Sequence, residues 1–396
     1  MKRIQLIAAF MGMLILQSDV AALSPRSADG RYVIIGWNDL GMHCISPRFK
    51  EMAILPPANN LRAVVIRRSG EEPRVTTSGV TVTYSMLNNL AVTGKTDFWN
   101  YEDKLFGVNL TPGVGLGGFG LSGTMKRSTT QFEANLVPVL PYYDSGGWNP
   151  LQQAVLTLNV SGKAIAATTI VVPVSDEMNC KKCHSSGGIA AKGISTPTLE
   201  GNILTAHDRR EGTHLMASRP VLCASCHSDN ALGTKGTPGV HSLSYAMHVK
   251  HSWSNPEPMC YDCHPGAKTQ CNRSAIANMG PVGGNPMCEN CHGTLDRMAT
   301  SLRAGRVPWA DEPTCTSCHG SLYSTGTARY RDATGHGGIL CIVCHNSPHA
   351  WYPSLRAVDN AQPLILQGNK HALGYYGCNI CHTDGRQGRM PPHAED

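Results

Sequence analysis

The residues of this chain that can do chemistry fall in a five-residue pattern, Cys-x-x-Cys-His, which occurs seven times between residues 180 and 382. Two thiols at this spacing, followed at once by an imidazole, form the attachment signal for c-type haem. The thiols add across the two vinyl groups of one porphyrin, and the adjacent imidazole binds the iron as its proximal ligand. The pattern therefore predicts seven covalently attached haem c groups.

Each repeat supplies one pair of cofactor-binding thiols and one proximal ligand. The predicted attachment cysteines are Cys180, Cys183, Cys223, Cys226, Cys260, Cys263, Cys288, Cys291, Cys315, Cys318, Cys341, Cys344, Cys378 and Cys381. The predicted proximal iron ligands are His184, His227, His264, His292, His319, His345 and His382. The competing interpretation is zinc, because Cys-x-x-Cys pairs are common zinc knuckles and histidine can be a fourth ligand. Zinc gives no reason for a histidine after every second cysteine, so we favour haem.

The N-terminal residues 1–22 have the pattern of a secretory signal peptide. Lys2 and Arg3 form a basic start, and residues 4–16 form an apolar run that is too short to span a bilayer. Small residues before position 23 predict cleavage after Ala22. The alternative is an uncleaved N-terminal anchor. We expect an exported protein of the periplasm, the outer surface or the extracellular space, with no transmembrane segment in the mature chain.

The charge of the chain does not predict nucleic-acid binding. The formal net charge is +6, but no basic run and no basic stripe with interleaved aromatic residues is present. Each predicted haem adds two propionates, which would make the loaded protein negative overall. Lysine and arginine in the second half are expected to face these propionates.

The cysteines divide the chain into two parts. Residues 23–175 contain one cysteine, and residues 176–396 contain the other fifteen. In the first part, residues 80–86 and 154–160 alternate between apolar and polar side chains, and residues 161–163 form a turn signal before another apolar run. These features predict a first domain over residues 23–175 that is an antiparallel β-sandwich of immunoglobulin-like type.

The second part, residues 176–396, predicts a heptahaem cytochrome c domain of irregular loops and short helices. Gly, Pro, Ser and Asn are common there and long apolar runs are absent, so the haems would form its core and folding would depend on their attachment. Successive motif histidines are separated by 26 to 43 residues. So few residues per porphyrin require closely spaced haems, which favours a path for electrons.

Histidines and cysteines outside the motifs suggest further contacts. Ten histidines lie outside them, and seven irons need at most seven as distal ligands. His248 and His251 are three residues apart, so on a helix they would share a face and could serve two haems. Cys44 and Cys271 are left over, and in an exported protein they predict one disulfide. A free buried thiol or a metal-binding pair are the alternatives for these two cysteines.

The mature chain resembles a group of exported bacterial multihaem c-type cytochromes that includes those of metal-reducing bacteria. The similar stretches are residues 36–44 (GWNDLGMHC), 54–57 (ILPP), 173–175 (PVS), 203–208 (ILTAHD), 219–227 (RPVLCASCH), 246–251 (AMHVKH), 264–266 (HPG) with Cys271, and 335–338 (GHGG). The resemblance implies electron carriers, and related exported cytochromes stack into conducting filaments. It favours as distal ligands His43, His207, His248, His251, His336, His349 and His371. His214 and His241 do not match this pattern, and the two spare cysteines fall in matching stretches.

Three functions are compatible with these patterns. We favour an electron carrier in the periplasm or outside the cell, which exchanges electrons with other multihaem cytochromes or an extracellular acceptor such as a metal oxide. Self-assembly into filaments, with the β domain as a docking module, is a structural alternative. The catalytic alternative is a reductase of nitrite, hydroxylamine or sulfur oxyanions with one open haem. All seven motifs end in histidine and none has a lysine in its place, which argues against an enzyme.

Overall fold

The computed structural model describes residues 23–266, 268–275, 286–314, 329–375 and 377–385. The predicted signal peptide, the fifth motif at residues 315–319 and His393 lie outside the described residues. The other six motifs and all seven distal candidates lie within them.

The described strands lie almost entirely before residue 176. They are β1 (Tyr32–Asn38), β2 (His43–Cys44), β3 (Met52–Ala53), β4 (Asn59–Arg67), β5 (Arg74–Val75), β6 (Val80–Met86), β7 (Ser122–Thr124), β8 (Lys126–Arg127), β9 (Phe132–Val137), β10 (Leu151–Val160), β11 (Lys163–Ser175) and β12 (Val221–Leu222).

The helices are short and most of them follow residue 176. They are α1 (Glu102–Phe106), α2 (Lys181–His184), α3 (Leu199–Glu211), α4 (Leu243–His251), α5 (Pro286–His292), α6 (Leu295–Arg303), α7 (Cys341–His345) and α8 (Ala361–Gln367). In the part of the chain that the structure describes, no helix has the length and apolar character that a membrane crossing requires.

Two five-stranded sheets dominate the first part. One has the order β1-β4-β9-β8 with β5 beside β4, and the other has the order β2-β11-β10-β6-β7. The β10–β11 hairpin turns at Ser161 and Gly162, which both have positive φ, so the hairpin predicted from alternation and turn residues is confirmed. Most strand pairs are antiparallel as expected, but β2 pairs with β11 in parallel, and so do β12 and β3. The second sheet is therefore mixed while the first is antiparallel, and the immunoglobulin-like topology stays a prediction.

The first sheet is buried on both faces. Its inner face packs on the second sheet through a cluster that includes Ile34, Leu61, Leu156 and Val172. The approach is close at one point, since a Cβ on Gly36 would lie 2.4 Å from Leu156 Cδ1. This is why a glycine stands in the middle of β1.

The outer face of the same sheet packs against the second part of the chain. On the sheet side this cluster contains Val33, Ile35, Trp37, Val64 and Ile66. On the other side it contains Tyr330, Ile342, Val343, Tyr352, Leu366, Leu373 and Ile380. β11 ends at Ser175, where the composition predicts a domain boundary, but the two parts share a hydrophobic core across that point.

Candidate functional site

Each described motif bends its backbone into about one helical turn. The amide of the motif histidine donates to the carbonyl of the first cysteine in four of them, at 2.9 Å for His184, 3.1 Å for His227, 2.8 Å for His264 and 2.9 Å for His382. The other two described motifs form α7 and the end of α5. This i to i+4 hydrogen bond holds both thiols and the imidazole on one short segment.

Five motif histidines face a histidine from outside the motifs. The ring centroids are 6.1 to 6.4 Å apart in the pairs His184–His251, His227–His207, His264–His248, His292–His349 and His382–His336. Two metal–imidazole bonds of about 2 Å each, together with the two ring radii, place the centroids about 6 Å apart. Each pair could therefore supply two nitrogen ligands to one metal ion.

Several imidazoles make their hydrogen bond to the protein through Nδ1 and not through Nε2. Nδ1 donates to a main-chain carbonyl in His227 (to His241, 2.7 Å), His248 (to Ser244, 2.8 Å), His251 (to Met247, 2.6 Å) and His382 (to Gly70, 2.7 Å). A proton fixed on Nδ1 leaves the Nε2 lone pair for a metal and increases its basicity.

His207 uses a different acceptor. Its Nδ1 donates to the Thr213 hydroxyl at 2.9 Å, and that hydroxyl donates to Asp208 Oδ1 at 2.7 Å. The same carboxylate accepts the amides of Leu215 and Met216 at 2.7 and 3.0 Å, and hydrogen bonds of this kind lower the pKa of Asp208. The Thr213 hydroxyl therefore links this imidazole to a carboxylate by two hydrogen bonds.

Burial favours the neutral form of five of the paired imidazoles. Desolvation lowers the pKa of His264 and of His349 to about 4, and it lowers the pKa of His184, His248 and His292 as well. The neutral ring is the form that binds a metal, so the burial of these side chains suits ligation at neutral pH.

Shared elements bring the first three motifs together. His248 and His251 both lie on α4 and face different motif histidines, as their spacing predicted. The first and third motifs also touch through Lys182 and Asp262, whose Nζ and Oδ2 are 2.7 Å apart. α3 joins the first motif to the second, because Asn202 donates to the His184 carbonyl at 3.0 Å while His207 on the same helix faces His227.

The remaining described motifs continue this series. The thiols of Cys260 and Cys288 are in hydrogen-bond contact, which joins the third motif to the fourth. His349, which faces the fourth motif, follows the sixth motif by four residues. The Leu373 amide donates to the Cys344 carbonyl at 2.9 Å. Cys344 also lies near Cys381 of the seventh motif, and this proximity adds to the burial that raises the pKa of Cys344. The described motifs therefore follow one another in the order second, first, third, fourth, sixth, seventh.

The last two distal candidates have other contacts. His43 is buried in the first part, where Nε2 donates to the Pro56 carbonyl at 2.8 Å and burial lowers its pKa to about 4. The His371 ring stacks on Tyr375 with centroids 4.5 Å apart. That these two histidines are distal ligands stays a prediction. His241, which we did not expect as a ligand, stacks on Tyr245 at 3.9 Å.

The two spare cysteines lie near one another and carry free thiols in the structure. Burial raises the pKa of Cys44 to about 12, with smaller contributions from Cys180 and Cys271. Burial also raises the pKa of Cys271. Their disulfide stays a prediction, and so does the free-thiol alternative.

Among the residues that the structure describes, no three His, Cys, Asp or Glu side chains come together in a group that could hold a metal ion. The sequence did not indicate the groups that receive the Nδ1 hydrogen bonds of these histidines. They are the Thr213 hydroxyl with Asp208 behind it, and the Gly70 carbonyl. A main-chain acceptor leaves no signal in the sequence, and Thr213 carries none that separates it from other threonines.

Comparisons with known proteins give one distant structural match. No family model matches the sequence, and no curated protein does. Among solved structures, the crystal structure of MtrC from Shewanella baltica OS185 matches with 12% sequence identity and a TM-score of 0.15. The match covers 73% of this chain and 43% of that chain, so this chain spans less than half the length of MtrC. A TM-score this low carries no argument about fold or function.

Proposed function

We propose that this protein is a multihaem c-type cytochrome that carries electrons along a series of closely spaced haems. The observation that carries the proposal is the set of five imidazole pairs, each joining a motif histidine to a distant histidine at 6.1 to 6.4 Å. A sequence pattern alone would supply one ligand per site. The fold brings a second imidazole to five of the motif histidines, at the separation that two ligands of one iron would require.

Haem, when bound, supplies a one-electron couple at each site. The motif thiols would hold it covalently, and in the five paired sites the two imidazoles would both bind the iron, which suits electron transfer rather than substrate binding. Hydrogen bonds from Nδ1 would fix the ring orientations and tune the donor strength of each histidine.

Contacts between successive motifs support conduction rather than isolated sites. His248 and His251 share one helix, and the first and third motifs are joined by an ion pair. Neighbouring sites in such a series can exchange electrons without a mobile carrier. We place the count of seven haems, the export of the chain, and electron exchange with other cytochromes or an extracellular metal oxide within the same proposal, together with assembly into filaments.

Two measurements on the purified, exported protein test the proposal. The intact mass should exceed that of the cleaved polypeptide by seven haems, and low-temperature EPR of the oxidised protein should show low-spin signals only. A protein that carries zinc and no haem would contradict it. A high-spin haem that binds cyanide would instead favour the reductase alternative.

A further inference from the structure

The seventh motif is anchored on the first sheet. The turn between β4 and β5 lies against residues 378–383, and Ser69 forms a parallel bridge with His382. The Thr383 amide donates to the Ser69 carbonyl at 2.8 Å, and His382 Nδ1 donates to the Gly70 carbonyl at 2.7 Å. A strand turn 312 residues earlier in the chain therefore orients this imidazole.

Arg68 of the same turn holds the motif backbone. Its Nε donates to the Ile380 carbonyl at 2.8 Å, and Nη2 donates to the carbonyls of Asn379 at 2.7 Å and His382 at 3.2 Å. Arg26 adds a hydrogen bond to the Asn379 carbonyl at 3.2 Å. Three carbonyls of one motif are thus gathered by a single planar guanidinium, a geometry that lysine does not reproduce.

Arg68 donates its hydrogen bonds to main-chain carbonyls. Among the described residues no carboxylate lies within ion-pair distance of its guanidinium, which donates its fourth hydrogen bond to the Gly30 carbonyl at 2.6 Å. The guanidinium lies against the motif, since Nη2 is 3.2 Å from the carbonyl oxygen of His382 itself.

We propose that Arg68 is a positioning residue of the seventh haem site, which holds the motif backbone and raises the reduction potential of the haem attached there. The inference rests on the proposed function. An oxidised haem carries one more positive charge than a reduced one, so an unneutralised cation close to it disfavours oxidation. The β part of the chain would then set the potential of one haem, in addition to any role in docking.

The test is a potentiometric titration of the loaded protein, with Arg68→Gln, Arg68→Lys and Arg74→Gln compared with the unchanged chain. Arg74 is the matched control, because it lies on the same hairpin, is exposed and pairs with Glu72 instead of the motif. We expect Arg68→Gln to move one component to a lower potential, Arg68→Lys to move it less, and Arg74→Gln to move none. A Cys378→Ser/Cys381→Ser variant, which lacks the seventh haem, should lack the shifted component.

The outcomes separate this inference from the proposed function. Titrations of Arg68→Gln and the unchanged chain that coincide, with seven haems in each, would overturn the role of Arg68 and leave the cytochrome proposal intact. Loss of one haem from Arg68→Gln, with all seven kept in Arg74→Gln, would support the positioning role. An unchanged chain that carries no haem would refute the proposed function itself.

Discussion

At the residue scale, the paired histidines differ in the group that accepts the hydrogen bond from Nδ1. Four use a main-chain carbonyl as the acceptor for Nδ1, whereas His207 uses the hydroxyl of Thr213 backed by Asp208. A carboxylate in this position increases the electron donation of the imidazole more than a neutral amide carbonyl does. The haem of the second motif should therefore have its oxidised form stabilised.

Replacement of Thr213 by Val tests this role. The methyl group removes the acceptor of His207 Nδ1 and one donor to Asp208, so we expect the potential of one haem to rise and the free energy of unfolding to fall by about 1 kcal/mol. Thr213→Ser, which keeps the hydroxyl, is the control. Potentiometric titration measures the first effect, and chemical denaturation followed by circular dichroism measures the second. A Val variant that titrates like the Ser variant would contradict the role.

A second residue-scale feature is a fully buried ion pair beside His349, the histidine that faces the fourth motif. Arg273 donates Nε and Nη2 to the two oxygens of Asp359 at 2.8 and 3.0 Å, and both side chains are 1% exposed. The Arg273 amide donates to the His349 carbonyl at 2.6 Å, and Ser354 also donates to the carboxylate. The pair therefore fixes the segment that carries a distal ligand.

Loss of one partner of this pair should be costly. Arg273→Met leaves the Asp359 carboxylate buried without its cation, so we expect a loss of about 3–5 kcal/mol in the free energy of unfolding. The double variant Arg273→Met/Asp359→Leu should recover much of this loss, because no buried charge remains unpaired. Denaturation midpoints of the three proteins measure the difference. A double variant less stable than the single one would count against a burial penalty.

At the element scale, α8 is fastened to the first sheet by one side chain. Gln362 accepts from the Gly36 amide at 2.9 Å, donates to the Gly36 carbonyl at 3.1 Å, and accepts from Thr168 at 2.7 Å. A side-chain amide thus satisfies both backbone groups of a residue in the middle of β1. Gln362 therefore joins α8 in the second part of the chain to β1 of the first sheet and to β11 of the second.

Gln362→Ala should loosen this junction. Two backbone groups of Gly36 would be left buried without partners, at a cost of about 1–3 kcal/mol. Amide hydrogen exchange at Gly36 should accelerate more than at residues of β10. Ile365→Gln is the control, since this residue of the same helix is 61% exposed and its change should cost no more than about 0.5 kcal/mol. Equal exchange at Gly36 in both variants would show that the amide bridge contributes nothing.

At the scale of the whole molecule, two kinds of core coexist. The inner core between the sheets consists of side chains alone. The second part has a low density of apolar side chains, and its described hydrophobic cluster depends on the outer face of the first sheet. Haems, bound between the imidazole pairs, would supply the apolar surface that its own sequence lacks.

The full chain produced without haem attachment should therefore fold unevenly. We expect hydrogen-exchange protection to remain in β6, β10 and β11 and to be lost across residues 176–314. The control is the same chain with haems attached, in which both parts should be protected. Full protection of residues 176–314 without haem would show that side-chain packing is sufficient there.

The sequence by itself determined the hairpin of β10 and β11, and it predicted the attachment thiols and the proximal histidines. Each of these depends on residues that are adjacent or related by a short period, such as Cys180 and His184 or the alternation in β10. The resemblance to exported cytochromes also pointed to the distal histidines, but it did not say which motif each one faces. His349 faces the fourth motif although it follows the sixth, and only the folded chain could bring these segments together.

Only the tertiary structure decided which groups hydrogen-bond to the motifs and their histidines, and in which order the motifs follow one another in space. Gly70 acts through its carbonyl, and Arg68 reaches a motif more than 300 positions away, so neither is marked by its neighbours in the sequence. The first sheet is covered on both faces, because the second sheet packs on one face and the second part of the chain packs on the other. Contacts between residues so far apart in the chain depend on how segments pack in three dimensions, and the spacing of residues in the sequence carries no information about that packing.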